Sequence, residues 1–276
     1  KESFWQIAML QEQGRRNGSA WGIYNGPSVA EPTGVPANEA QSYMGRANAF
    51  FIVVPEWKNF YDASDVRRDI NICTYQYSWN AATRQHTKKE RGNTGWYVGK
   101  WRREWMNPAL WNKNINYGDI NFVALRYSDM VLLAAEAYNE LNQSSKSWDL
   151  ISRVRTRAMA SEVNSGSFAK VYAKAKAKHN PDFIEDGSEQ GKVRQALYFE
   201  RAFELCFEGV RKYDLLRWGC LYDALKLFGE NSDVNKKTLA YPGYKNFIPG
   251  HSELQPIPLK ELQSNPALNG INNPGY

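Results

Sequence analysis

Three cysteines, three histidines and five methionines are all that 276 residues hold of these types. Cys73, Cys206 and Cys220 form no C-x-x-C pair and no metal-ligand spacing, which excludes a disulfide scaffold and a thiolate zinc site. His86, His179 and His251 stand singly, so a histidine-built metal centre is excluded too, and no cofactor is expected. No apolar run is long enough to cross a bilayer, and no signal peptide opens the sequence. A serine nucleophile elbow, an H-E-x-x-H helix and a phosphate-cradling glycine loop are all missing. An excess of one charge is nearly missing as well: 35 Lys and Arg against 29 Asp and Glu leave a net +6, with the signs interspersed. The exception, KVYAKAKAK at residues 170–178, reads as a solvated helix, so nucleic acid is not an expected partner.

Aromatic residues are what the chain has in surplus, at 14% with 10 Trp and 16 Tyr. A core rarely needs that much tryptophan, because each indole N–H must also find an acceptor. The surplus points to a surface that stacks against something flat, such as a sugar face, a base or a peptide.

The length and a 42% hydrophobic content allow one large domain over residues 1–276, divided into three regions. Residues 1–118 are rich in Gly, Pro, Asn and aromatics. KESFWQIAML reads as a strand or short helix entered in mid-protein. Residues 14–40 have no periodicity and many turn residues, which predicts a long loop. AFFIVV at 49–54 predicts a buried strand, residues 55–69 carry a helix start, and 69–79 alternate like a half-exposed strand. Residues 231–276 are irregular and proline-rich, with LKEL as a single helical turn, and are expected to wrap the rest.

Residues 119–230 read as helical, over 122–141, 148–159, 194–208 and 213–228. These make two antiparallel pairs, so the expected fold is mainly α, an α/α superhelix of TPR-like pairs with a loop-rich part containing short strands. In the first helix Arg126, Asp129 and Glu136 share a narrow arc. In the third, Glu200, Glu204 and Glu208 share an arc with Arg194 and Arg201, and the rest of the wheel is apolar, Cys206 included. Arg211, Asp214 and Arg217 follow at i+3 steps after a turn at Gly209. A helix this apolar is buried, so its charges are expected to form an ion network with both Glu204 and Arg217 enclosed, and Cys206 a buried free thiol. Glu200 and Glu204, one turn apart, also raise a glycoside hydrolase. The surrounding cations argue against it, because ion pairing lowers a carboxylate pKa and makes a poor general acid.

ERAFELCFEGVRKYDLLRWG at 200–219 resembles the ER-x-x-EL-x-FEG-x-R-x-x-DL-x-RW signature of the SusD/RagB family. FVALRYSDMVLLAAEAYNEL at 122–141, VRTRA at 154–158 and LQPIPLKELQSNPALNGINNPGY at 254–276 are similar to further blocks of that family, in the family's order. Asn272 stands where the family usually has Gln. The resemblance implies a SusD-like fold and a surface lipoprotein on the extracellular face of the cell outer membrane. It implies oligosaccharide or polysaccharide as ligand and a SusC-like, TonB-dependent transporter as partner. Family members are longer, with a signal peptide, a lipidated cysteine and N-terminal TPR-like helices. The chain thus reads as the C-terminal part of such a protein, touching a membrane only through a lipid anchor outside it.

A glycan site needs aromatic platforms beside planar polar groups. Residues 14–40 supply Trp21, Tyr24 and Asn25 with Arg15 and Arg16 close by, and Tyr43 follows. Trp57, Trp79 and Trp96 lie outside any obvious core periodicity; the plainer explanations are that Trp57 and Trp79 cover the core and that Trp96, Trp101 and Trp105 belong to an exposed strand or helix face. These residues and the resemblance together predict a non-catalytic glycan binder. A peptide- or protein-nutrient binder of the same architecture and a purely structural partner of the transporter are the rival classes.

Overall fold

A computed structural model describes residues 2–10, 18–113, 115–232 and 243–276. The first region is built from short pieces: β1 (Ser3–Ile7), α1 (Trp21–Asn25), α2 (Glu56–Phe60), α3 (Arg67–Asn71), β2 (Ile72–Cys73), β3 (Tyr75–Asn80), β4 (Gln85–Glu90) and β5 (Tyr97–Val98). β6 (Phe122–Arg126) then leads into α4 (Tyr127–Glu140). α5 (Ser144–Arg157), α6 (Phe168–Val171), α7 (Ala173–Lys178), α8 (Glu189–Glu204), α9 (Arg211–Arg217), α10 (Leu221–Asn231) and α11 (Leu259–Ser264) follow. The strands form three antiparallel ribbons, β1–β6, β2–β5 and β3–β4. The fold is mainly α with short strands, as expected.

α4 packs on α5 through the short link at 141–143, and both pack on α8. The core runs between them, with Leu132, Ala135, Ile151, Val154, Val193 and Phe203 buried. Ser188 caps α8, its Oγ accepting the Gly191 N–H at 2.9 Å, and Glu189 sits favourably in the first turn.

Several elements differ from the sequence expectation. Residues 122–141 are not one helix: Phe122–Arg126 pair with β1, and the helix starts at Tyr127. A wheel does not register a partner strand more than a hundred residues away, and Phe and Val suit an extended chain. Residues 213–228 divide into α9 and α10 at Gly219, which takes the left-handed φ of 68° that ends a helix. Within 49–54 only Ile52 bridges Tyr97, and Ala49 turns left-handed at φ 50°, so no strand forms. The described tail is held to the helices by Phe247 against Tyr222 and Tyr244 over Gly229. Within the tail, Asn272 Oδ1 accepts the Ile257 N–H at 2.7 Å and Tyr276 stacks on His251 at 4.1 Å.

The charged arc of α8 is the predicted ion network, reached by partners the wheel does not show. Glu204 is buried and accepts from Arg126 (2.6 Å), Arg157 (2.5 Å) and Arg67 (3.1 Å). Glu200, also buried, takes Arg67 at 3.0 Å, Arg155 and the Tyr172 hydroxyl. Glu208 pairs with Arg126 at 2.8 Å and with Lys100. Arg201 bridges Asp129 and Asp214, both at 2.8 Å, and Arg217 joins Asp214 to Glu136. Two expectations need correction. Arg211 meets no carboxylate among the described residues; its guanidinium lies 4.0 Å over the Tyr198 ring and donates to the Tyr198 carbonyl. Arg217 is not enclosed, its side chain being 37% exposed. Cys206 is a buried free thiol as expected, pushed up to about 11 by burial.

Glu204→Ala strands cations in the interior and should cost about 3–5 kcal/mol. Arg217→Ala, half in water, should cost about 1 kcal/mol or less. Urea unfolding of both variants checks the contrast. Burial alone would raise the Glu204 pKa above its ordinary 4.5, but Arg126, Arg67 and Arg157 outweigh it and hold the group at about 2. The unfolded chain therefore binds this proton first as acid is added. Stability from Glu204 is complete above about pH 4.5 and should fall, by on the order of 3 kcal/mol, as pH drops towards 2. Unfolding midpoints that stay level across that window in the native protein would contradict the network.

Candidate functional site

α1 lies within the stretch expected to be loop, and close backbone contact explains its glycines. A Cβ on Gly26 would sit 2.5 Å from the Trp101 carbonyl, and one on Gly22 2.8 Å from Arg103 Cγ. The helix therefore rests directly on residues 101–103. Its entry is fixed by paired hydrogen bonds between Ser19 and Gly118, at 2.9 and 2.8 Å.

Trp21 is sandwiched between Trp101 (centroids 5.2 Å, planes at 25°) and Phe122 (5.4 Å, 14°). One turn on, Tyr24 stacks on Phe50 at 5.5 Å and 20°. The segment carrying Phe50 is tied to α1 by Asn48 N–H to the Ile23 carbonyl (2.7 Å) and Phe50 N–H to the Tyr24 carbonyl (3.0 Å). Tyr24 is 46% exposed, Phe50 63% and Phe51 55%. The result is an aromatic wall open to water whose supports are internal. Such a wall matches the C–H face of a pyranose, whose hydroxyls need polar neighbours.

Arg103 braces this arrangement. It is fully buried and donates to the carbonyls of Met44 (2.6 Å) and Tyr117 (3.1 Å), with no carboxylate in ion-pair contact among the described residues. Burial lowers its pKa to about 10. Its guanidinium fills the space beside Gly45, which sits at φ 91°.

The expected site residues do not come together as one surface. Trp21 is part of the core packing and supports the wall instead of presenting a free face, which corrects its placement on an open loop. Asn25 turns its amide back to the Trp21 carbonyl at 3.2 Å. Tyr43 is fully buried, stacked on His86 in a second apolar cluster with Val29, Met44 and Tyr77, and so cannot touch a ligand. Trp79 is half-buried against His86, its N–H donated to the Thr33 carbonyl at 3.0 Å. Trp96 gives its N–H to Arg91 and carries the Lys58 ammonium 4.8 Å over its face. Neither ring stacks with Tyr24 or Phe50. Arg15 and Arg16 lie outside the described residues. Phe50 and Phe51 were legible only as members of an apolar run, which reads as buried strand by length and composition.

Two other features are poor glycan sites. Glu200 and Glu204 are enclosed and ion-paired, with Glu204 held ionised, so neither is placed to protonate a glycosidic oxygen. A groove of about 550 Å³ among α2, α8, α9 and α10 is lined by groups such as Trp57, Phe60, Phe199 and Phe228, too apolar to satisfy sugar hydroxyls. No cluster of three or more metal-ligating side chains occurs among the described residues, and no described helix is long and apolar enough to cross a membrane.

Known proteins place the fold. The SusD-like protein P2 of Formosa agariphila is 28% identical over 260 residues, covering 92% of this chain and 45% of that protein. The SusD-like protein P25 of the same organism is 33% identical over 175 residues, 60% of this chain and 28% of that protein. Among solved structures, a SusD homolog from Bacteroides thetaiotaomicron superposes with a TM-score of 0.67 at 23% identity, over 100% of this chain and 52% of that one. A laminarin-binding SusD-like protein gives 0.57 at 20% identity, over 100% and 50%. Surface glycan-binding protein A from Bacteroides thetaiotaomicron gives 0.59 at 19%, over 100% and 52%. The chain thus spans about half the length of these structures. With the SusD family (SusD_RagB) matched over residues 1–276, the chain belongs to that family.

Proposed function

We propose that this chain is the glycan-holding part of a cell-surface uptake system, binding oligosaccharide or polysaccharide without cleaving it. The observation that carries this reading is the Tyr24–Phe50 stack with Phe51 beside it, exposed to water on a helix anchored by the Trp101–Trp21–Phe122 stack. Large rigid aromatics held open in this way offer a stacking face that packing among the described residues does not use. Asn48 lies in the same segment, so an amide group that suits sugar hydroxyls is close in sequence to the rings. Two fold neighbours support the reading, one a laminarin-binding protein and the other a surface glycan-binding protein. Family membership supports the wider role: a lipoprotein on the extracellular face of the outer membrane, handing its ligand to a SusC-like, TonB-dependent transporter.

A peptide ligand is the weaker reading. The apolar groove is walled mainly by α2, α8, α9 and α10, whose backbone groups pair within the helices, and no strand lines it, so strand addition has no sheet edge there.

The test is binding to a panel of polysaccharides, laminarin included, by affinity electrophoresis and calorimetry. Stacking on one ring contributes on the order of 1 kcal/mol, so Tyr24→Ala and Phe50→Ala should each raise Kd by about five- to tenfold. Both variants should melt near the parent temperature. Trp21→Ala should instead lose about 2–4 kcal/mol of stability, because it removes the middle of a packed stack. No reducing sugar should be released from any bound polymer. Unchanged affinity in a folded Tyr24→Ala, Phe50→Ala double variant would reject the site.

A further inference from the structure

Trp105, in a one-turn 3-10 helix at Arg103–Trp105, is 53% exposed, while the next residue, Met106, is buried. Its indole is held in place from below. The Arg102 guanidinium lies 5.1 Å from the ring and is itself buried, donating to the carbonyls of Asp69 and Ile72 and, at 3.2 Å, to the Tyr75 hydroxyl. Trp79, Trp96, Trp101, Trp111, Trp148 and Trp218 all give their indole N–H to a protein oxygen. That of Trp105 has no such acceptor among the described residues, as is also the case for Trp5, Trp21 and the buried Trp57. The ring is therefore rigid, open on one face, and left with a spare donor.

A polar cluster is joined to it through Arg102 and its chain neighbour Glu104. Glu104 accepts from the hydroxyls of Tyr75 and Tyr77 and pairs with Lys88 at 3.1 Å, while the Lys88 ammonium also lies 4.3 Å over the Tyr75 ring. The Glu104 carboxylate is nearly enclosed, its side chain 13% exposed, and Lys88 is more than half exposed. An open indole beside hydroxyl, ammonium and carboxylate groups has the composition of a sugar subsite. The exposed cation Lys88 is already paired with Glu104, so it offers no unpaired positive charge to a sugar carboxylate or sulfate. The chemistry that fits is an uncharged pyranose.

We propose that Trp105, held by Arg102 next to the Tyr75–Glu104–Lys88 cluster, is a second subsite for a neutral pyranose of the same polysaccharide. The proposal rests on the reading of the chain as a glycan binder. Both platforms hang on one segment: the stem of Arg103 touches Gly22 of α1, and Trp105 is two residues further on. A long glycan engaging both gains affinity through effective concentration, and a short one does not.

Affinity electrophoresis of the full chain through gels holding neutral polysaccharides, with calorimetry on short oligosaccharides of the polymer that binds, decides the matter. Trp105→Ala should weaken polymer binding by about five- to tenfold and short-oligosaccharide binding by less than about twofold. Trp105→Phe, which keeps a stacking face, should retain most of the polymer affinity. The melting temperature reports the integrity of each variant. Full polymer affinity in a folded Trp105→Ala overturns the subsite, and so does polymer binding that is lost on raising salt and on Lys88→Ala, which would assign an anionic glycan. A parent protein that binds no polysaccharide overturns the glycan reading itself, whereas binding that is indifferent to Tyr24→Ala overturns the α1 wall and, with it, the two-platform arrangement.

Discussion

A carboxylate enclosed by three arginines from three different elements is the constraint on which the rest of this structure depends. Glu204 on α8 is met by Arg67 from α3, Arg126 from β6 and Arg157 from α5. Bringing these groups out of water is costly, and the arrangement is stable only while every partner is present. Hydrophobic packing alone would let short elements such as α3 and β6 settle on the helical body in several ways. Fixed ion pairs at 2.5–3.1 Å select one of them. Glu200 repeats the device one turn away, where Arg155 and Tyr172 complete the set.

The same end of α8 reaches the aromatic wall. Lys100 donates to the Glu204 carbonyl at 2.8 Å and pairs with Glu208, and the Trp101 indole donates to the Phe207 carbonyl at 3.3 Å. Residues 100–105 are thereby clamped to the helix terminus. On this clamped segment Trp101 supports Trp21, Trp21 fixes α1, and α1 presents Tyr24 to Phe50. The fold-determining charges and the candidate glycan surface are thus two ends of one chain of contacts. Preorganisation of this kind leaves a ligand less conformational entropy to remove on binding.

Much of the helical half was legible because its signals are local. The apolar wheel of 194–208 identifies a buried helix with a charged arc, and the i+3 series from Arg211 to Arg217 a neighbouring charged helix, without outside information. The partners of that arc were less legible, since Arg67 and Arg157 lie far off in sequence and only the fold brings them in. For the same reason β6 was read as helix: its pairing with β1 spans most of the chain. In the first region the aromatics stood out, but their roles did not. Tyr43 and Trp21 had as much claim to the surface as Tyr24, and burial separated them. Phe50 and Phe51 sat in a run that looked like core, and the left-handed turn at Ala49 that turns them outward follows no residue-type rule.

Hydrogen–deuterium exchange with and without a bound polysaccharide tests the central claim, that ligand recognition lies on the wall carried by α1. The amides of Asn48 and Phe50, hydrogen-bonded to α1, report directly on it. Slowed exchange over residues 20–26 and 46–52 on adding glycan, with α4, α5 and α8 unchanged, is the result this account predicts. Protection confined to the apolar groove among α2, α8, α9 and α10, with residues 20–26 unaffected, would contradict it.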